Sequence, residues 1–267
     1  MKNMKRTIIP ALGLVILACV LFWSWLYPRY TVPILTYHDF GNAGIQVTPE
    51  NFRKQMAFLK EKHYNVISLG ELVEGVRAAK KFPRNSVVIT FDDGYKDNYT
   101  IAYPVLKSLK FPATIFLISD NIGKDSNLMD WEQVRQMSKG GISFGGHTRH
   151  HVYIPSIKDD NVLWDETAGC KQVIEKNLGV AVEYFSYPKG GFTRQAQDML
   201  IKAGYKGACA TNRGSDPLNR SDMYELIRIS IRDCDPYLSI SNLFGAISFR
   251  SKLSGYYNIF RRKKSGG

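Results

Sequence analysis

The stretch "VVITFDDGYKDNY", residues 87–99, begins as a strand buried on both faces and ends in a way that core strands avoid. β-Branched and apolar residues lead to Phe91; two adjacent carboxylates, Asp92 and Asp93, follow, and Gly94 then turns the chain. Like charges placed side by side raise each other's cost of ionisation, more so at the edge of an apolar core. A lone Asp-Asp-Gly reads equally as a turn, since Asp-Gly is a frequent turn pair and Asp often caps the next helix. What decides between a turn and a site lies elsewhere in the chain.

Working outward, strands and helices alternate. "VPILTYH" reads as a strand and "TPENFRKQMAFLKEKHY" as a helix, with Thr48 as N-cap, Pro49 at its first position and Phe52, Met56 and Leu59 on one face. "NVISL" and "SVVITFDD" are strands around the helical "GELVEGVRAAKK", and Pro104 kinks or opens a helix in "NYTIAYPVLKSLK". Then come strand "ATIFLI", helix "DWEQVRQMSKG", strand "ISFGGH", a longer helix over 159–177, strand "VEYFSYP" and helix "TRQAQDMLIKAG". "YKGACAT" and "ELIRISI" read as strands and "DPYLSISNLFGAISF" as a last helix. Such alternation predicts an α/β domain with a parallel sheet under helical cover, over residues 31–250. No G-x-G-x-x-G follows a strand, and polar clusters stand at the exits of "LTY", "TF", "FGG" and "FSYP". Chemistry gathered at strand exits favours a barrel over an open nucleotide-binding sheet.

The chain has 267 residues and a net charge of +12, of which residues 1–30 carry +4 and Arg261, Arg262, Lys263 and Lys264 of the tail another +4. The body between is too mildly basic to point to nucleic acid, and no nucleic-acid-binding motif supports it. Residues 251–267 form a basic tail. At the other end, "MKNMKR" precedes the uncharged "TIIPALGLVILACVLFWSWLY", long enough for a transmembrane helix and aromatic near its far end. Residues 1–30 are therefore expected to be a cytoplasmic basic flank and a membrane anchor with the domain exported; a cleaved signal peptide that releases it is the alternative. Cys170, Cys209 and Cys234 form no metal-ligand pattern and are expected to be free thiols, although an exported domain can form a disulfide.

A second polar cluster lies in "SFGGHTRHH", where His147 and His151 are four apart, and three of the chain's five histidines fall within five residues there. On a helix or tight turn that spacing lets both imidazoles grip one ion, although His-x-x-x-His alone also arises by chance. His150, between them, points elsewhere. Two histidines and one carboxylate make a three-ligand set for a divalent ion with positions left for water and substrate. A dication there would make the aspartate pair intelligible, with one as ligand and the other free to act as a base.

"TFDDG", "HTRHH" and "YFSYPKGG", in that order, resemble the motifs of the polysaccharide deacetylases of the NodB-homology type. The resemblance implies a distorted (β/α)7 barrel, here preceded by the N-terminal transmembrane helix, that removes acetyl groups from an N-acetylated polysaccharide. By the same resemblance Asp92 is the base; Asp93, His147 and His151 bind the metal, zinc first, with cobalt, nickel or manganese as alternatives; and Thr148 buttresses the histidine loop by hydrogen bonding. Lys189 supplies an oxyanion-stabilising N–H, flanked by Tyr187 and Pro188, and Gly94 completes the first motif. Tyr95, Tyr153 and Tyr187 are candidates for stacking on sugar rings. The sequence departs from the family pattern twice. Ser186 stands where an Arg would orient the base, and no histidine follows His151 to serve as the acid. A branch acting on poly-N-acetylglucosamine has its acid histidine in an N-terminal Tyr-His pair, which "ILTYHDF" matches at His38. Implied alternatives are a peptidoglycan or chitin-fragment deacetylase, or a silent membrane-tethered glycan-binding module.

Overall fold

The computed structural model describes residues 13–21, 32–41, 47–78, 80–83, 85–210 and 223–231. Local signals set most elements. Thr48 accepts the Asn51 N–H and starts α1 (Pro49–Glu61), with Pro49 in the first turn where no amide hydrogen is missed. Its apolar face, Phe52, Met56 and Leu59, is fully buried. Capping boxes at Ser68–Glu71 and Asp130–Gln133 start α2 (Leu69–Arg77) and α4 (Trp131–Lys139). Between them, Pro104 lies in the first turn of α3 (Tyr103–Leu109), after a π-helical turn over Asn98–Ala102. The expected long helix is α5 (Asp160–Trp164) and α6 (Cys170–Leu178), joined through a second π-helical turn, Asp165–Gly169. Thr193 caps α7 (Arg194–Lys202).

Among the described residues eight strands, all parallel, form one sheet: β1 (Ile34–Tyr37), β2 (Asn65–Val66), β3 (Ser86–Phe91), β4 (Thr114–Leu117), β5 (Ser143–Gly146), β6 (Tyr184–Ser186), β7 (Gly207–Ala210) and β8 (Leu226–Ser230). β1 pairs with β3 on one side and β8 on the other, so seven strands close into a barrel in the order β1, β3, β4, β5, β6, β7, β8. β2 is the short extra strand. It pairs with Ser86 and Val87, and β1 takes over the same edge from Val88 onward. "NVISL" is therefore a strand only at its first two residues: the Ile67 N–H still reaches Val87, and Ser68 then caps α2.

Alternation along each strand sorts the side chains. Ile34, Val88, Phe116, Tyr184 and Cys209 fill the barrel's lower interior together with Leu69, Leu72 and Val73 of α2. The opposite faces, including Leu35, Ile89, Ile115, Phe185 and Ile229, pack under the helices. Two residues further along the inward positions the interior turns polar: Thr36, Thr90, Ser186 and Arg228, all buried. Gly145 lets β4 and β6 approach, since a Cβ there would meet the Phe116 ring at 2.5 Å and the Tyr184 carbonyl at 2.7 Å.

Residues 13–21 are helical and exposed, and among the described residues no helix is long and apolar enough to cross a membrane. The remainder of the expected anchor, the last predicted helix, the basic tail and Cys234 lie outside the described residues. Cys170 and Cys209 are buried free thiols, as expected.

Candidate active site

The inward positions of β1, β3 and β6 lead directly to the polar residues at their C-terminal ends. Thr36 is followed two residues on by His38, and Thr90 by Asp92; Ser186 ends its strand. Gly94, at φ +82°, returns its N–H to the Asp92 carbonyl, and this tight turn puts Asp93 itself at φ +70°. The two carboxylates thus point different ways from one turn.

Asp93 faces the histidine loop that leaves β5. Its Oδ1 is buried without a hydrogen-bond partner, yet lies 3.4 Å from Nε2 of both His147 and His151. The ligand atoms of Asp93, His147 and His151 all fall within 4.8 Å of one another. His147 Nδ1 is 2.7 Å from the Ser186 carbonyl, which can accept only N–H, so Nε2 carries the free lone pair. Three convergent ligand atoms, with both histidines in the neutral form, fit a divalent ion. Burial works against a proton on His147, but Asp92 and Asp93 outweigh it and raise that group's pKa, so a bound ion would have to displace a proton from this ring. On His151, burial and the neighbouring His147 lower the pKa. Burial, together with the nearby Asp93 carboxylate, pushes the Tyr95 phenol up to about 12.

The histidine loop is held from outside. Its first amide, at His147, donates to Leu117, and the Ser119 and Asp120 amides donate to the carbonyls of Thr148 and Arg149. Buried Glu166, on the second π-helical turn, accepts the Arg149 and His150 amides at 2.8 and 3.1 Å and the His150 ring at 2.7 Å. The Arg149 guanidinium forks to Asp120 and Asp165. His150 does point away from the Asp93 group. Thr148 is a correction: its hydroxyl is buried without a partner, so the buttress is its carbonyl, and φ of +62° turns the chain.

Asp92 is gripped across the barrel by Arg228 of β8. Nη1 donates to Oδ1 at 2.7 Å and Nη2 to Oδ2 at 2.5 Å, a bidentate fork between buried groups. Nη2 also donates to Ser186 Oγ at 2.7 Å, and Nη1 reaches Thr90 Oγ1 at 3.3 Å. Burial alone would push the Asp92 carboxyl up, but the Arg228 charge, helped by His147, holds it well below the usual carboxylate range. The arginine that the third motif lacks therefore arrives from another strand, and Ser186 leaves it room and accepts from it. Sequence reasoning missed Arg228. Its signal was a charge at an inward position of "LIRIS", next to Ile229, which packs outward.

His38 emerges from β1 with its ring 47% exposed and Nε2 3.9 Å from Asp92 Oδ2. On the far side, Lys189 sits at φ +57° in the turn after β6, with no acceptor for its N–H among the described residues. Pro188 is buried in the same turn. Tyr187 is another correction: it is fully buried, stacked on Phe192 at 5.0 Å and edge-on to Phe185, and has no face for a sugar. Tyr95 is half-buried beside Asp93. Tyr153 is exposed, its ring lying against Gly191, where a Cβ would come within 2.3 Å. Asp93, Thr148, His151 and Lys189 are four of the six non-glycine residues with positive φ among the described residues. Such backbone costs of order 1–3 kcal/mol per residue and collects where function demands it.

A parallel barrel with a buried, oriented carboxylate beside an Asp-His-His group at its strand ends has the architecture of a barrel hydrolase. The comparisons narrow this class. Residues 79–208 match the polysaccharide deacetylase family. YxkH of Bacillus subtilis (strain 168), assigned by its name to the polysaccharide deacetylases, is 31% identical over 75% of this chain and 71% of its own. A poly-beta-1,6-N-acetyl-D-glucosamine N-deacetylase of Staphylococcus aureus (strain MSSA476) is 27% identical over 70% of this chain and 68% of its own. The Streptococcus pyogenes deacetylase PplD, solved with acetate, superposes with a TM-score of 0.69 at 26% identity, over 76% of this chain and 92% of its own. The chain belongs to the polysaccharide deacetylase family and is an enzyme of that class.

Proposed function

We propose that this enzyme hydrolyses N-acetyl groups of an extracellular amino-sugar polymer of the poly-β-1,6-N-acetylglucosamine type. The observation that carries the reading is the convergence on one barrel end of Asp92, the Asp93–His147–His151 group and His38, with His38 only 3.9 Å from Asp92. The Staphylococcus aureus relative supports the choice of polymer through its name. Against the silent-module alternative stands Arg228. A non-catalytic relative has no use for a buried guanidinium that keeps Asp92 ionised and aimed.

In this mechanism Asp93, His147 and His151 would hold a divalent ion, zinc first, with cobalt, nickel or manganese able to occupy the same donors. When bound, the ion would polarise the acetamide carbonyl and acidify a water. Asp92, kept ionised by Arg228, takes the proton from the attacking water as general base. The Lys189 N–H, which has no acceptor among the described residues, donates to the oxyanion of the tetrahedral intermediate. His38 delivers a proton to the departing amine, an accessible group that exchanges protons with solvent between turnovers. Tyr153, exposed at the rim, offers a ring face to a sugar. Residues 1–30 anchor the enzyme with its barrel on the extracytoplasmic side.

The test is acetate release from poly-β-1,6-N-acetylglucosamine, peptidoglycan and chitin oligomers, with and without chelator. Asp92→Asn is the control. Release is expected to be highest with the first polymer, to stop with chelator and to return with zinc. Faster release from peptidoglycan or chitin would reassign the substrate, and no release from any of them would sink the reading.

A further inference from the structure

Among the described residues no hydrogen bond to the His38 ring explains how it would keep its place. The imidazole is 47% exposed, and Asp92, its ion-pair neighbour, is beyond hydrogen-bond reach at 3.9 Å. The main chain around it is held firmly. Asn98, fully buried at the head of the first π-helical turn, donates from Nδ2 to the His38 carbonyl at 2.9 Å and to Asp97 Oδ1 at 3.1 Å. Asp97 Oδ2 accepts the Phe40 N–H at 2.6 Å. Two adjacent side chains thus hold the backbone on both sides of Asp39: the carbonyl before it and the amide after it. Phe40 is anchored in turn against Phe52, with ring centroids 5.0 Å apart.

The clamp belongs to the same short segment as the aspartate pair. Asp92 and Asp93 lie at one end of "FDDGYKDN", Asp97 and Asn98 at the other. One turn therefore fixes the carboxylate at its start and the exit of β1 at its end.

We infer that Asp97 and Asn98 are positioning residues that set the His38 imidazole relative to Asp92 and so tune protonation of the leaving amine. This rests on the role of His38 given above. The inference separates two kinds of substrate. An amine cannot leave as an anion and needs the proton, whereas the aryloxide of an aryl acetate ester leaves without one. Losing the clamp should lower the amide-to-ester rate ratio, while a merely structural loss would lower both rates together.

The experiment uses the full chain loaded with zinc and measures kcat on an N-acetylglucosamine oligomer and on an aryl acetate. Asn98→Ala is expected to lower the ratio about ten- to hundredfold, the scale of displacing a reacting group by about an ångström. Asp97→Ala should lower it less, and Asp97→Asn should restore it in part, because an amide oxygen still accepts the Phe40 N–H while the NH2 takes the place of the acceptor facing Asn98 Nδ2. In a His38→Ala background, Asn98→Ala should change the ratio no further. Zinc affinity, titrated in each variant, should stay at the parent value and report an intact barrel. Should Asn98→Ala not fold, the Asp97 pair carries the same test. Equal losses on both substrates, or an additive loss in the His38→Ala background, would overturn the clamp. If His38→Ala itself fell equally on both substrates, the acid role would fail and this inference with it. If His38→Ala were selective and the clamp variants were not, the clamp alone would fail.

Discussion

Two strand exits bring histidines to the same site, and they are built differently. At the exit of β5, His147 is buried, its ring tautomer set by the Ser186 carbonyl, and the loop behind it is tied by Glu166 and by Arg149 with its two aspartates. At the exit of β1, His38 is half-exposed and fixed through its backbone. The difference follows the task. A ligand must present one lone pair at one point, so every other freedom is removed. A proton donor must recharge from water, so its ring stays accessible while its main chain is held.

The largest effect should come from breaking the first exit outright. Asp93→Ala or His147→Ala is expected to abolish zinc binding and reduce deacetylation to background, read by titration and acetate release. Second is the partner of the base. Arg228→Met leaves the Asp92 charge buried and unpaired, which should cost about 3–5 kcal/mol of stability in denaturant melts and nearly all turnover. Replacing both, Arg228→Met with Asp92→Asn, should recover much of the stability and none of the activity. Third, Glu166→Ala strips an acceptor from two amides of the histidine loop and should destabilise by about 1–3 kcal/mol, weakening zinc binding more than it slows the zinc-saturated enzyme.

The smallest effect belongs to the second exit and depends on pH. Burial, with the nearby Asp39 charge adding to it, pushes the Asp97 carboxyl up to about 6 against the Phe40 N–H bond, above the value of 3.8 for a free side chain. The folded chain therefore holds this proton more tightly than the unfolded chain. The stability it contributes is present below the unfolded value and is lost as pH rises through about 6. Asp97→Asn should accordingly melt slightly above the parent at pH 7.5, with the gap closing near pH 4. A gap that widens in acid would contradict the assignment.

The helices and the location of the site were legible because their signals are local. Thr48, Pro49 and the apolar face of α1 lie within a dozen residues, and Asp92, Asp93, His147 and His151 stand beside the strands they follow. The closing of seven strands with β2 left short was not, since it depends on β1 displacing β2 along the same edge of β3. Arg228 was hidden for the same reason: it lies 136 residues from Asp92, and only the alternation of β8 hinted that a charge turned inward. Thr148 and Tyr187 were read through the roles of matching positions, and burial corrected both. The Thr148 hydroxyl has no partner, and the Tyr187 ring is spent on packing. His38 was legible through resemblance alone, because nothing in "TYHDF" by itself separates an acid from a surface histidine.

The division of labour proposed for the two adjacent carboxylates is tested by one paired titration. Chelator-stripped parent, Asp92→Asn and Asp93→Ala are each titrated with zinc, and the same samples are assayed for acetate release from poly-β-1,6-N-acetylglucosamine. The prediction is one zinc per chain in the parent and in Asp92→Asn, none in Asp93→Ala, and activity in the parent only. Zinc retained by Asp93→Ala, or acetate released at parental rate by Asp92→Asn, would contradict it.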